Sequence, residues 1–235
     1  MKNSIFNELK RKASQGESKY TYADLMSIRK KGAIEASEAI TLHREEDALN
    51  LILGRSGIMP IHQNCSVDNY VVSSEGQYAA IHFSKYFIEN FDNNQGSCFV
   101  FSGETGTGKN HLSAAICNEL MSKKKTCLII TVSELMMKFR KCYSDKAEHT
   151  EDEFMQIIIN FDLLILDEIG LQKGSDHEKL ILNQVIDQRI GNLKPVGILT
   201  NLESDDIEAL LGKRIFDRLK SNNGQWISFD WNSYR

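Results

Sequence analysis

Residues 103–109 read Gly-Glu-Thr-Gly-Thr-Gly-Lys, and the runs on either side of this glycine-rich segment decide the fold of the chain. The run before it is apolar and β-rich, Ser97-Cys-Phe-Val-Phe101. The run after it, His111-Leu-Ser-Ala-Ala-Ile-Cys-Asn-Glu-Leu-Met121, has apolar residues at helical spacing. Strand, glycine loop and helix in this order are the context that a phosphate-binding loop requires. We therefore predict an α/β fold with an anion site at this loop.

The chemistry of this loop depends on backbone N–H groups and one lysine. Glycines let successive N–H groups turn inward around a phosphate, and the following helix aims the positive end of its dipole at the same anion. Lys109 supplies a mobile charge for the outer phosphates. Asn110 stands where Ser or Thr usually binds Mg²⁺, and its amide oxygen is still a ligand for a hard cation. The predicted nucleotide-binding residues are Gly103, Glu104, Thr105, Gly106, Thr107, Gly108, Lys109, Asn110 and His111.

Composition excludes several classes of protein. The chain has 235 residues, of which 41% are hydrophobic and 26% charged, as is usual for a soluble globular protein. It has no apolar run of membrane-spanning length and no signal region, so we predict a cytoplasmic protein without membrane contacts. The five cysteines are scattered and odd in number, and the six histidines lack metal-ligand spacing. These features favour reduced thiols over disulfides or a metal cluster.

Charge and pattern distinguish the N-terminal part from the rest. Residues 1–31 carry a net charge of +5, which leaves −9 for residues 32–235. Such a basic arm suits an acidic partner or nucleic acid, although a solvated tail has the same composition. Its apolar residues recur at helical spacing and either pack on the rest of the chain or dock in a partner's groove. We predict a helical N-terminal domain over 1–53, a Gly/Pro/Asn-rich linker over 54–72 and the main domain over 73–235.

A second landmark is the run Phe161-Asp-Leu-Leu-Ile-Leu-Asp167-Glu168, a buried strand that ends in two adjacent carboxylates. The carboxyl ends of parallel strands meet at the edge of the sheet where ligands bind, which favours a functional explanation. Asp167 is predicted to hold Mg²⁺, and Glu168 to orient or deprotonate the attacking water. Asn201 follows a further strand in the same way, and its side chain could position either the lytic water or the γ-phosphate, or could simply form a turn.

Two basic clusters each allow two interpretations. The predicted helix 134–143 mixes basic and aromatic side chains, which could follow a single nucleic-acid strand, whereas the residues alone favour a solvated helix face. These predicted DNA-binding residues are Lys138, Arg140, Lys141 and Tyr143. On the predicted helix 203–220, Arg214 and Arg218 lie one turn apart. They are either surface residues or candidates for an arginine finger that reaches a neighbouring subunit's nucleotide.

Four motifs in order resemble the AAA+ ATPases of the DnaC helicase-loader and transposase-helper clade. They are GETGTGK at 103–109, LLILDE at 163–168, LTN at 199–201 and KRIFDRL at 213–219. Three longer stretches resemble DnaC-type loaders in particular: SGIMPIHQNC at 56–65, SGETGTGKNHLSAAICNEL at 102–120 and WISFDWNSYR at 226–235. The resemblance covers roughly residues 54–235 and is thinner in the N-terminal arm.

The resemblance implies a three-layer α/β/α P-loop ATPase fold of the AAA+ type. It implies a parallel five-stranded sheet in the order 5-1-4-3-2, a small helical N-terminal domain before it and no C-terminal lid domain. The implied activity is ATP hydrolysis with Mg²⁺ in DNA replication, as part of a primosome. The implied partners are a hexameric DnaB-type replicative helicase, bound through the N-terminal domain, single-stranded DNA, and further copies of the chain through AAA+ interfaces.

The resemblance also assigns roles by position. Asn201 matches the sensor-1 polar residue and Arg218 the arginine finger, with Arg214 close by. Helix 134–143 matches the extra helical element that such ATPases place against single-stranded DNA. A transposition-helper ATPase of the same clade is the near alternative, and a metabolic P-loop kinase is the alternative from another class. The kinase is disfavoured because a water-activating carboxylate at Glu168 would promote wasteful hydrolysis.

Overall fold

The computed structural model describes Ser27, Lys30 and residues 55–93, 96–144, 147, 149–170 and 175–234. Backbone contacts divide the chain into two compact units, Met1–Ile52 and Leu53–Arg235, and nearly all described residues belong to the second. The helical domain predicted over 1–53 therefore lies, apart from Ser27 and Lys30, outside the described residues. Within the described ranges, no helix combines the length and apolarity that crossing a membrane requires.

The second unit alternates strands and helices, as the sequence predicts. Its strands are β1 Phe99–Gly103, β2 Cys127–Thr131, β3 Leu163–Ile169, β4 Val196–Thr200 and β5 Gln225–Phe229. Its helices are α1 Glu75–Glu89, α2 Lys109–Ser122, α3 Val132–Lys141, α4 Glu151–Asn160, α5 Asp176–Gly191, α6 Ser204–Leu211 and α7 Lys213–Lys220. Short 3-10 turns at Arg55–Gly57 and Pro60–His62 precede these elements.

All five strands are parallel and lie in the order β2-β3-β4-β1-β5, which confirms the predicted order read from the opposite edge. On one face the sheet packs against α1 and α2 in a core that includes Phe99, Phe101 and Leu199. The alternate strand residues are buried as well, on the face that α3 and α5 contact. Burial on both faces explains why the strands read as continuous apolar runs.

Two helical segments differ from the predicted pattern. The predicted helix 203–220 is wrong as a single element, because Gly212 adopts φ 82° and ψ 151° and separates α6 from α7. An extended residue interrupts the i→i−4 hydrogen bonds, and glycine tolerates the positive φ.

Helix α4, Glu151–Asn160, was not predicted from the sequence. Its signal was a capping box, in which the Thr150 hydroxyl accepts from Glu153 N and the Glu153 carboxylate accepts from Thr150 N.

The described part of the predicted linker, residues 55–72, is packed against the rest of the second unit. Ile58, Cys65 and Tyr70 are buried in the same core as α1 and α2. The Asn118 amide on α2 donates to the carbonyls of His62, Gln63 and Cys65, at 3.2, 3.2 and 2.8 Å. A side chain at Gly57 would collide with the Ile129 carbonyl of β2. This segment is thus a structural part of the second unit.

Arg189 on α5 is fully buried and joins three parts of the chain. Its guanidinium donates to the carbonyls of Ile158 and Ile159 at 2.8 and 3.0 Å, and to those of Asp162 and Pro195 at 3.4 and 2.8 Å. The first two belong to the last turn of α4, where carbonyls have no intrahelical partner. Burial lowers the pKa of Arg189 to about 9, so the guanidinium is still charged at neutral pH.

We expect Arg189→Met to reduce the free energy of unfolding by about 3–5 kcal/mol, because several buried carbonyls lose their donor. The measurement is urea unfolding followed by circular dichroism. The control is Gln188→Met, at the exposed neighbouring position on α5. That change is expected to alter the free energy of unfolding by no more than about 0.5 kcal/mol. A similar loss in both variants would contradict the assigned role of Arg189.

Candidate functional site

A cavity of about 540 Å³ opens where β1, β3 and β4 end. Its volume is in the range of small-molecule and cofactor sites. One wall is the loop between β1 and α2, and the opposite side includes residues of the 55–72 segment. The lining residues are Met59, Ile61, His62, Asn69, Tyr70, Val71, Thr105, Gly106, Gly108, Lys109, Asn110, His111, Asp167, Glu168, Leu199, Thr200, Asn201 and Tyr234.

The phosphate loop has the backbone that its glycines predict. Gly106 and Gly108 have φ of 86° and 97°, in the region that favours glycine. Lys109, the first residue of α2, is buried, and its Nζ donates to the carbonyls of Gly103 and Glu104 at 2.5 and 2.8 Å. Burial lowers the pKa of Lys109, whereas the charges of Asp167 and Glu104 oppose that shift. The ammonium group is thus held at the floor of the loop.

The two carboxylates near the end of β3, Asp167 and Glu168, both line the cavity because the strand bulges there. Asp167 and Glu168 stand opposite Leu199 alone, since Leu166 pairs with Ile198 and Ile169 with Thr200. In a regular strand, consecutive side chains would point to opposite faces. Glu168 has φ of 58°, an unusual value for a residue with a side chain and one that occurs at functional sites.

The surroundings of the two carboxylates differ. Asp167 Oδ2 accepts from Asn110 Nδ2 at 3.0 Å, and Asp167 Oδ1 accepts from Glu168 N at 2.7 Å. Burial raises the pKa of Asp167 and the charge of Glu168 adds to that shift, while the hydrogen bond from Glu168 N opposes it. Glu168 is exposed. This division suits a fixed metal ligand at Asp167 and a water-contacting base at Glu168.

The residues present fit a Mg²⁺ site. Asn110 and Asp167 lie side by side at the cavity, and Mg²⁺ is usually bound through one or two protein oxygens together with substrate phosphates and water. Over the described residues, no group of three or more His, Cys, Asp or Glu side chains could hold a metal by itself. The arrangement is therefore one in which the nucleotide and the protein would share the ion.

Asn201 lies next to the phosphate loop. Its Oδ1 accepts from Lys109 Nζ at 3.2 Å, and its Nδ2 lies 3.4 Å from Thr105 Oγ1. Thr200, the residue before it, is buried and donates to the Ile169 carbonyl at 2.7 Å, which ties β4 to the bulge. The structure therefore places Asn201 beside Lys109 and Thr105 of the phosphate loop, and its contact with a γ-phosphate stays a prediction.

Sequence reasoning missed the aromatic residues of this site. Tyr70 donates through its hydroxyl to the Thr107 carbonyl at 3.0 Å and contacts the His111 ring edge-on at 5.3 Å between centroids. His111 Nε2 lies 2.8 Å from Asn69 Oδ1, which joins α2 to the 55–72 segment. Trp231 and Tyr234 contact the same loop from the end of the chain. Trp231 and Tyr234 fall in the stretch 226–235 that carries the family resemblance, but the sequence does not place them or Tyr70 at the loop, because they reach it only through tertiary packing.

The two candidate finger arginines are outside this cavity. Both pair with Asp187 on α5: Arg214 Nη2 lies 3.1 Å from Asp187 Oδ2, and Arg218 pairs with Asp187 Oδ1. The Arg214 side chain is 74% exposed and that of Arg218 is 39% exposed. Neither arginine therefore contributes to the cavity of its own subunit, and the finger role stays a prediction.

The four predicted DNA-binding residues lie at the end of α3, also outside the cavity. Lys138 lies 3.8 Å from Glu134, and Arg140 lies 2.6 Å from Glu178. The Tyr143 hydroxyl lies 3.2 Å from His177 Nε2, and Lys141 is exposed. Ion pairs offset part of the positive charge of this helix, so the surface is less basic than the sequence of α3 alone suggests.

We expect Gly108→Ala to weaken nucleotide binding by about 10-fold or more. A Cβ at this position would lie 2.7 Å from the Tyr70 ring, and φ is 97°. A positive φ alone costs an alanine about 1–2 kcal/mol, and the collision displaces the loop or Tyr70. Titration with a fluorescent ADP analogue measures the affinity. Gly212→Ala is the control, since φ is 82° there and an added Cβ would meet no other group of the described residues within 4 Å. Equal affinity in both variants would contradict this prediction.

Comparison with known proteins finds a family of ATP-binding proteins and replicative helicase loaders that match most of this chain. Residues 79–235 match the family described as IstB-like ATP binding protein. The replicative helicase loader DnaC of Escherichia coli (strain K12) is 43% identical over 209 residues, 88% of this chain and 83% of that protein. The replicative helicase loader DnaC of Buchnera aphidicola (subsp. Acyrthosiphon pisum, strain APS) is 39% identical over 212 residues, 90% of this chain and 86% of that protein.

Solved structures show the same fold. The crystal structure of the DnaC helicase loader aligns with a TM-score of 0.65 at 22% identity, over 72% of this chain and 99% of that one. The replication initiator DnaA bound to AMPPCP and single-stranded DNA aligns with a TM-score of 0.63 at 18% identity, over 74% of this chain and 51% of that one. These likenesses confirm the predicted α/β architecture of the second unit.

Proposed function

This chain belongs to the DnaC-type family of replicative helicase loaders, within the IstB-like ATP-binding proteins, and from this membership we propose that it hydrolyses ATP while placing a hexameric DnaB-type helicase on single-stranded DNA. The observation that carries the proposal is the convergence of Lys109, Asp167, Glu168 and Asn201 on one cavity. These groups come from the ends of three strands, so only the folded sheet assembles them.

Each group has a chemical role in the proposed hydrolysis. Lys109 and the loop N–H groups bind the phosphates, and Asn110 with Asp167 would hold Mg²⁺, which neutralises charge on the phosphate oxygens when bound. Glu168 orients the attacking water and accepts its proton. Asn201 fixes Lys109 and the γ-phosphate relative to each other. Arg218, or Arg214, comes from a neighbouring copy and neutralises the charge that develops on the transferred phosphoryl group.

The experiment that tests the loading function is co-elution with a replicative helicase. The full chain and the hexamer are mixed with MgATP and separated by size-exclusion chromatography, and a joint peak is expected. A fragment that begins near Ser56 tests whether residues 1–53 are the helicase anchor. It should bind ATP and elute apart from the helicase, and joint elution of this fragment would overturn that division of labour. Failure of the full chain to co-elute would overturn the loading function.

Lys109→Ala separates nucleotide binding from helicase binding. Removal of the lysine is expected to abolish ATP binding, because no other Lys or Arg among the described residues lines the cavity. The variant should still co-elute with the helicase if residues 1–53 are the anchor. ATP binding at the level of the unmodified chain would contradict the proposed nucleotide site.

We expect the combined alanine variant of Lys138, Arg140, Lys141 and Tyr143 to bind single-stranded DNA less tightly. The logarithm of the binding constant falls linearly with the logarithm of the salt concentration, and each lost phosphate contact should reduce the steepness of this slope by roughly 0.7. Loss of a base stacked on Tyr143 should weaken binding by about 1–3 kcal/mol. Fluorescence anisotropy over a salt series measures both. Glu178→Gln is the matched control, since it frees Arg140 and should strengthen binding. Unchanged affinity and salt slope in the combined variant would leave α3 as a solvated face.

A further inference from the structure

Three aromatic residues, from the beginning and the end of the second unit, donate hydrogen bonds to two carbonyl groups of the phosphate loop. Tyr70 Oη and Trp231 Nε1 both donate to the Thr107 carbonyl, at 3.0 and 2.8 Å. Tyr234 N donates to the Gly106 carbonyl at 3.0 Å. We call Trp231 and Tyr234 the C-terminal strap. The loop is thus held from outside by residues about 40 positions before it and more than 120 positions after it.

The strap is itself anchored. The Tyr234 hydroxyl donates to the Val71 carbonyl at 2.6 Å, and the rings of Tyr234 and Tyr70 make an edge contact at 5.9 Å between centroids. The Trp231 ring packs on Phe229 of β5 at 4.7 Å. These contacts join the strap to the sheet at one end and to the residue after Tyr70 at the other. The donors are therefore fixed before any nucleotide arrives.

Fixing a carbonyl also fixes the N–H of the next residue. A peptide unit is planar and trans, so its C=O and N–H point in opposite directions. The Gly106 carbonyl shares a peptide unit with the N–H of Thr107, and the Thr107 carbonyl shares one with the N–H of Gly108. Within the described part of the chain, neither of these N–H groups donates to another protein group. Both are turned away from the aromatic donors and remain available to an anion.

We propose that Tyr70 and the C-terminal strap are positioning residues for nucleotide binding, which hold the N–H groups of Thr107 and Gly108 toward the diphosphate of ATP or ADP. The inference rests on the proposed nucleotide site and adds residues that lie outside the glycine-rich motif. Without the aromatic donors, the flexible glycine loop would become ordered only when the nucleotide binds, and the cost of that ordering would weaken the affinity for the nucleotide.

The Thr107 carbonyl accepts from two donors, and this makes the inference testable by a double-mutant cycle. Tyr70→Phe and Trp231→Phe each remove one donor and keep an aromatic ring. Either remaining donor can hold the peptide, so each single variant should bind ADP only about 2–3-fold more weakly. The double variant lets the peptide turn and should lose about 10-fold or more, which exceeds the product of the single effects.

The control is the double variant Tyr78→Phe and Trp226→Phe. Tyr78 is exposed on α1, and Trp226 packs against Phe216 at 6.2 Å, away from the loop. This control variant makes the same two replacements, Tyr by Phe and Trp by Phe, and should bind ADP as tightly as the unmodified chain does. Calorimetric titration with ADP, well below the thermal midpoint of each variant, gives the affinities, and thermal unfolding without nucleotide gives the stabilities.

The outcomes separate this inference from the proposed function. A loss of ADP affinity in the Tyr70/Trp231 double variant that exceeds the product of the single effects, with stability like that of the control, supports the inference. ADP affinity that is unchanged, that falls by the product of the single effects, or that falls equally in the control overturns the inference alone. An unmodified chain that binds no ADP overturns the nucleotide site and this inference together.

Discussion

Replacement of Arg218 by alanine is expected to reduce ATP hydrolysis by about 10³–10⁵-fold while ATP affinity stays close to normal. Among the described residues that line the cavity, Lys109 is the one Lys or Arg side chain, and it already binds the loop carbonyls and Asn201. Further positive charge is needed as the γ-phosphoryl group transfers. Arg218 lies outside the cavity of its own subunit, and we expect it to supply that charge to a neighbouring subunit.

Mixing two inactive variants tests action between subunits. Arg218→Ala keeps an intact cavity and Lys109→Ala keeps the arginine, so their mixture should recover part of the phosphate release. Arg214→Ala is the matched variant one turn earlier on α7. A mixture as inactive as either variant alone, with both still bound to the helicase, would exclude Arg218 as the finger and make Arg214 the next candidate.

Asp187 provides a second control that the sequence did not suggest. It pairs with both arginines in the structure, so a finger has to leave Asp187 to reach another subunit. Asp187→Asn should therefore preserve or raise the rate of hydrolysis. If Asp187→Asn instead abolishes hydrolysis as Arg218→Ala does, the arginine acts by stabilising its own subunit, and the finger assignment is wrong.

Glu168→Gln should lower ATP hydrolysis by about 10²–10⁴-fold and leave ATP binding intact. The amide keeps the size of the side chain but cannot accept the proton of the attacking water. Asp167 is not expected to replace it, because its carboxylate is held in place by hydrogen bonds from Asn110 and Glu168 N and would be engaged by Mg²⁺. Phosphate release and titration with a fluorescent ATP analogue measure the two properties separately.

Glu203→Gln is the control for Glu168→Gln, since Glu203 follows β4 but lines a neighbouring groove instead of the cavity. Its hydrolysis rate should stay within a few-fold of that of the unmodified chain, on the order of what a surface change causes. Full phosphate release by Glu168→Gln would remove Glu168 from the mechanism and leave water activation to another group.

Much of the fold was readable from the sequence because its signals are local. The glycine loop specifies a strand before it and a helix after it, and the apolar run that ends in Asp167 and Glu168 indicates a buried strand. The carboxyl ends of parallel strands share one edge, so Lys109, Asp167 and Asn201 could be predicted to meet. Family resemblance added the strand order, which the structure confirms.

The remaining features depend on contacts between residues far apart in sequence, so only the tertiary structure decided them. The bulge that turns both Asp167 and Glu168 into the cavity arises from the register between β3 and β4. Two segments far apart in sequence, residues 55–72 and the segment after β5, pack against the same phosphate loop. Their contact with it brings Tyr70 and Trp231 to the Thr107 carbonyl. Local periodicity and motif spacing carry no information on such contacts, because the partners are brought together only when the sheet and its helices bury their common core.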